Sequence, residues 1–224
     1  MRNFENRTPS KTMSGIVIID YGLGNIKSIS NAFSSVGSDV TVSRDTDAIM
    51  NATGLVLPGV GAFQHGMEKL RDFGLVDIIK ERAGAGVPLL GICLGMQLML
   101  SKGEEFGQSD GLDLISGEVV KFNPAGDVPY KLPNIGWNEL SFDGCAETPL
   151  LQGVAQTESM YFVHSFYANP TDVADVLSCS DFAGIRYCST IGKDNVFGCQ
   201  YHPEKSGESG LKIIRNFKKI CEGG

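Results

Sequence analysis

Short apolar runs alternate with stretches of helical periodicity through the first hundred residues of the chain. Residues 15–20 form a continuous apolar run rich in β-branched side chains, the pattern of a strand buried on both faces. Ile26, Ile29 and Phe33 then recur on one side of a helix expected over about 26–36. Residues 39–43, 54–58 and 87–92 read as further strands. Between them, residues 62–83 read as helix, and another helix is expected from Leu94 to about Leu100. Buried strands alternating with helices predict a mostly parallel sheet covered by helices on both faces.

The texture changes near residue 112. Residues 112–122, 137–142, 160–168, 173–179 and 183–189 are strand-like, closely spaced and separated by turn residues. They predict antiparallel strands that extend the sheet. Residues 196–201 read as the last strand and 207–221 as a closing helix, with Leu211, Ile214 and Phe217 at helical spacing. No shift of composition marks a linker, so residues 14–224 read as one domain. Residues 1–13 are polar and without periodicity, and read as a disordered extension or an alternative start.

Composition narrows the function classes. With 42% hydrophobic and 20% charged residues, the chain has the balance of a soluble globular protein. A formal net charge of −7 argues against non-specific nucleic-acid binding. No window approaches the roughly 20 apolar residues of a membrane span. The six cysteines form no Cys-x-x-Cys pair and no secretory signal is visible, so free thiols in a reducing cytoplasm are expected. No metal or cofactor site is predicted.

One cysteine stands apart. Gly91-Ile92-Cys93-Leu94-Gly95 lies at a predicted strand-to-helix junction. A nucleophile on such a turn needs a strained backbone, and the flanking glycines remove the Cβ atoms that would collide with strand and helix. The helix N-terminus favours a thiolate there, and the Leu94 amide is placed to bind an oxyanion. His202 ends the last predicted strand, with Glu204 two residues on and Pro203 stiffening the link. A carboxylate on one ring nitrogen would leave the other facing the thiol, so that Cys93, His202 and Glu204 act as nucleophile, base and orienter. The glycines of Pro58-Gly59-Val60-Gly61 allow the Gly59–Val60 peptide to supply a second oxyanion donor. A phosphate-binding glycine loop fits less well, because the spacing matches neither the dinucleotide fingerprint nor Walker A.

Together these segments closely resemble the class I glutamine amidotransferases over residues 14–221. The general signatures are Gly91 to Gln97 and His202-Pro203-Glu204. Finer features are similar to the histidine-biosynthesis group of that family: residues 20–25, 58–63, 133–138, 161–167 and 202–207. The resemblance implies a flavodoxin-like α/β fold and L-glutamine as substrate. It implies Gln97, and with it Glu105, at the substrate's α-amino acid end, and Gly61, His164, Ser165 and Phe166 around the glutamine pocket. It also implies a separate TIM-barrel cyclase partner that receives the ammonia, with Asn25, Pro133 and Trp137 at or near the contact. The competing expectations are a glutaminase subunit of another pathway and a non-catalytic scaffold subunit. On the residues alone, Gln97 as a plain helix residue, Trp137 as core and His164 as a satisfied strand histidine stay open. His65 reads as structural.

Overall fold

The computed structural model describes residues 14–124 and 129–223. The extension expected at 1–13 lies outside the described residues. In chain order the elements begin β1 (Ser14–Ile19), α1 (Ile26–Ser35), β2 (Val40–Ser43), α2 (Thr46–Met50), β3 (Ala52–Leu57), α3 (Phe63–Asp72) and α4 (Leu75–Gly84). Next come β4 (Leu89–Ile92), α5 (Leu94–Leu98), β5 (Leu100–Gly103), β6 (Ser109–Asp110), β7 (Ile115–Lys121) and β8 (Asn134–Glu139). The chain ends with β9 (Ser159–His164), β10 (Phe166–Pro170), β11 (Val176–Phe182), β12 (Ile185–Lys193), β13 (Val196–Cys199) and α6 (Gly207–Cys221).

The main sheet runs β2-β1-β3-β4-β13-β12-β10-β7-β5-β6, with β11 also paired to β12. Its first five strands are parallel, in the doubly wound order that places a ligand crevice at the carboxyl ends of the strands. Side chains alternate between two cores along each of these strands. Val17, Ile19, Leu55 and Leu57 join Phe63, Met67, Leu70 and Ile79 of α3 and α4 on one face. Ile16, Ile18, Val56 and Leu90 join Ile29 and Phe33 of α1 and Ile213, Ile214 and Phe217 of α6 on the other. Both faces being covered is why these strands read as unbroken apolar runs.

Several boundaries differ from the sequence expectation. The helix expected over 62–83 is two helices, because Gly74 adopts φ 64° and turns the chain between them. The helix after Cys93 stops at Leu98. The Leu98 and Met99 carbonyls accept instead from the amides of Leu112, Leu114 and Ile115, and Leu100–Gly103 becomes a strand. Helix α2 was not anticipated. Asp45 caps it through a bond from the Ala48 amide, the one local signal that marks it. The run 160–168 divides at Ser165: β9 pairs with β8 in a separate two-stranded sheet, while β10 joins the main sheet beside β7. The second half therefore extends the sheet only in part, and β5 pairs with β7 in parallel.

Candidate active site

Strands β4 and β13 lie side by side in parallel, Cys199 opposite Ile92, and the Cys93 amide donates to the Cys199 carbonyl at 2.8 Å. The chain turns sharply here: Cys93 has φ 54° and ψ −110°, a conformation that side chains other than glycine rarely hold. Its neighbours explain how the turn is packed. A Cβ on Gly95 would lie 1.8 Å from the Leu57 carbonyl oxygen, and one on Gly91 would lie 2.7 Å from the backbone of Gly95 and Met96. Only glycine lets α5 sit directly on β3 and β4. Cys93 is 7% exposed, with Sγ 4.0 Å from the Val163 carbonyl oxygen and 3.7 Å from Nε2 of Gln200.

His202 follows β13, and its amide donates to the Tyr161 carbonyl at 2.9 Å, which ties it to β9. Pro203–Lys205 forms a 3-10 turn that swings Glu204 back, so that Nδ1 of His202 and Oε1 of Glu204 are 2.8 Å apart with both side chains buried. The Ser206 hydroxyl donates to the His202 carbonyl at 2.7 Å and holds the turn from the other side. With Nδ1 committed to the carboxylate, the ring's reactive face is Nε2, which is buried and has no partner at normal hydrogen-bond geometry. Burial pushes the imidazole pKa down, but the facing Cys93 sulfur and the Glu204 carboxylate outweigh it and lift it to about 9. The arrangement holds a proton on His202 at neutral pH, beside the Cys93 sulfur.

One cavity of about 520 Å³ contains both groups. Val60, Gly61, Leu94, Gln97, Glu105, His164, Ser165 and Phe166 also line it. Gly59 lies just behind, where a Cβ would meet Tyr21, Leu94 and the Gly95 nitrogen within 2.8 Å. Tyr21 supports that loop by donating to the Pro58 carbonyl at 2.7 Å. Glu105 accepts from the Phe63 amide at 2.8 Å, so its carboxylate caps α3 while bordering the cavity. His164 is buried between Nδ2 of Asn134, 3.2 Å from its Nε2, and the Phe166 carbonyl, 2.8 Å from its Nδ1. Burial holds its pKa down, at about 4, so it is neutral.

Pro133 lines this cavity and also a neighbouring hollow of about 500 Å³ with Tyr130 and Ile135. Trp137 is 58% exposed and packs edge-on against Tyr161, so it is a surface residue and not core. Asn25 sits at the start of α1 without a side-chain cap bond. His65 is on the surface beside Glu68, away from the cavity. Sequence reasoning passed over Gln200, fully buried and in contact with both Cys93 and Gln97. The signal available was a lone amide in an apolar strand two residues before His202.

The chain matches the family model described as glutamine amidotransferase class-I over residues 17–220. It is 46% identical over 210 residues to the imidazole glycerol phosphate synthase subunit HisH of Geobacillus sp. (strain WCH70), which covers 93% of this chain and 98% of that protein. It is 42% identical over 205 residues to the subunit HisH of Lactococcus lactis subsp. lactis (strain IL1403), covering 92% and 98%. A crystal structure of a glutamine amidotransferase superposes with a TM-score of 0.70 at 15% identity, covering 92% of this chain and 98% of that one. A chain in the structure of PurLQS from Thermotoga maritima gives 0.65 at 18% identity, covering 93% and 99%. These two structures share the fold.

Proposed function

The chain belongs to the class I glutamine amidotransferase family, and from that premise we propose that it hydrolyses L-glutamine to glutamate and ammonia as the glutaminase subunit of an imidazole glycerol phosphate synthase, in histidine biosynthesis. The observation that carries the chemistry is the His202 imidazole, clamped by Glu204 at 2.8 Å and sharing one small cavity with a cysteine on a strained turn.

The Cys93 thiolate attacks the side-chain amide carbon of glutamine. The amides of Val60 and Leu94 receive the oxyanion of the tetrahedral intermediate. Protonated His202 gives its proton to the leaving nitrogen, and ammonia departs from the glutamyl thioester. His202, now neutral, removes a proton from water, which attacks the thioester and releases glutamate and the thiolate. Gln97, Glu105, Gly61 and the 164–166 segment hold the amino-acid end. No cofactor takes part in this scheme.

A separate TIM-barrel cyclase takes up the ammonia in this reading. The exposed residues Tyr130, Ile135 and Trp137 next to the cavity mouth support a docking face there. A cytoplasmic location belongs to the same reading. Among the described residues no helix is long and apolar enough to cross a membrane.

Glutamate release is the test, with the protein alone, with the cyclase, and with the cyclase plus its ribonucleotide substrate. Strong stimulation in the last condition is expected. Equal rates in all three would assign the chain to another pathway. Cys93→Ala is expected to cut glutamine hydrolysis by at least about a thousandfold, while the assembled complex still uses free ammonia. Near-normal glutaminase activity in that variant would remove Cys93 from the mechanism.

A further inference from the structure

Gln200 lies two residues before His202, fully buried, its backbone amide donating to the Ser189 carbonyl at 2.9 Å. Its side chain spans two groups that the reaction scheme treats separately. Nε2 of Gln97 is 3.0 Å from the Phe166 carbonyl oxygen and 3.0 Å from Oε1 of Gln200. Nε2 of Gln200 is 3.7 Å from the Cys93 sulfur.

The direction of this chain of bonds is determined, because a carboxamide can be flipped only if its partners permit it. The Phe166 carbonyl can only accept, so Gln97 must present its NH2 group there. The second hydrogen of that NH2 then goes to an acceptor, which makes the facing atom of Gln200 its oxygen. The Gln200 NH2 group is thereby aimed at the sulfur. No water competes for it, since Gln200 is wholly enclosed. A donor held at a sulfur favours the form with the negative charge.

We propose that Gln200 is a positioning residue, which keeps a neutral hydrogen-bond donor on the Cys93 sulfur and locks the Gln97 amide into its substrate-facing orientation. The inference rests on Cys93 being the nucleophile. It adds a second device for stabilising the thiolate, independent of His202, and couples the nucleophile to the group at the substrate's amino-acid end. A helix of five residues follows Cys93, so its dipole alone offers little. The other titratable groups around the sulfur are His202, Tyr21 of the β1 end, Cys199 of β13 and Glu105 across the cavity, with Glu204 behind His202.

The test is the pH profile of alkylation of Cys93 by iodoacetamide, followed on the Cys93 peptide by mass spectrometry without glutamine. Gln200→Met preserves bulk and removes both bonds. Its midpoint is expected to rise by about one pH unit, and the KM for glutamine is expected to rise with it. Gln200→Leu also removes both bonds with a differently branched apolar side chain, so its midpoint is expected to rise by a similar amount. Thermal melts of both variants check the fold, and the Leu variant serves if Met disrupts packing. A general packing defect would lower the rate at every pH without moving the midpoint. A wild-type midpoint in folded Gln200→Met or Gln200→Leu overturns the proposal while leaving glutamine hydrolysis by the wild type untouched. Conversely, absence of glutamate release by the wild-type complex would overturn the assigned reaction, and the alkylation profiles would still decide the role of Gln200.

Discussion

His202 and His164 border the same cavity, yet their surroundings move their protons in opposite directions. Cys93 and Glu204 hold the pKa of His202 up at about 9, against the cost of burial. His164, enclosed by Asn134, Phe122, Phe162 and Tyr187, is held down at about 4, first by burial and then by the charge of His202. Imidazole NMR titration is therefore expected to give a midpoint near 9 for His202, falling in Cys93→Ala because the facing sulfur is lost. A midpoint unchanged by Cys93→Ala would show that the two side chains do not interact. His164 yields a stability prediction. Its folded pKa lies below the unfolded value of 6.5, so the unfolded chain binds the proton first on acidification. The contribution is complete above pH 6.5 and is lost as pH falls toward 4, by up to about 3 kcal/mol. Urea denaturation of His164→Gln and of the wild type at pH 7.5 and 5 would reveal it. The fall in stability should be smaller in the variant, and equal falls would contradict the assignment. Sequence reasoning could rank His202 by its Pro203-Glu204 neighbours. It could not assign His164, whose state is set by burial in tertiary contacts, among them Asn134, thirty positions away and brought opposite it by β8 and β9 pairing.

The elements that position Cys93 depend on close backbone approach. Gly91 and Gly95 let α5 rest on β3 and β4, and Gly59 lets the neighbouring loop pass under Tyr21. Gly95→Ala would drive a methyl into the Leu57 carbonyl, a backbone atom that cannot rotate away. It is expected to cost at least about 2 kcal/mol in urea-denaturation stability, whereas Gly84→Ala, with open space around its Cβ position, is expected to cost nothing. A neutral Gly95→Ala would mean that α5 can lift off the sheet. The motif's glycines were legible because their spacing around Cys93 has a steric meaning that needs no tertiary knowledge. The same holds for the buried parallel strands, where both faces demand apolar residues. The failures came where tertiary partners decide. Leu100–Gly103 leaves the helix because the preceding carbonyls find the amides of residues 112–115, and residues 160–168 divide because two different sheets claim their halves. No local periodicity encodes either choice. Gly74 could have been read as a helix stop, and the expectation of one helix across it gave the apolar spacing too much weight.

Across the whole molecule, the cavity adjoins a hollow and a strand pair that carry exposed apolar side chains. Ile135 is 62% and Trp137 58% exposed, on the two-stranded sheet β8–β9 that also carries Val163 and His164 into the site. Pro133 borders both the cavity and the outer hollow. Large apolar side chains in solvent are unfavourable for a free subunit, and an aromatic anchor is where binding energy concentrates at interfaces. The cyclase is therefore expected to cover this face, so that ammonia released at Cys93 leaves toward the partner. Trp137→Ala should weaken the complex by about 2 kcal/mol or more, roughly thirtyfold in Kd by calorimetry, with the melting temperature of the free subunit little changed. Val173 provides the control. It is 72% exposed, but the adjoining Ala174 borders a hollow with Pro88 and Asn195, at the starting ends of β4 and β13 and so at the opposite edge of the sheet from the site. Val173→Ser should leave Kd unchanged. Equal Kd values for the Trp137 variant and the wild type would move the docking face elsewhere, and the route of the ammonia with it. A weaker complex whose stimulated rate recovers at saturating cyclase would identify Trp137 as an anchor only. A stimulated rate that stays low at saturation would show that β8–β9 also carries the partner's signal to the cavity wall.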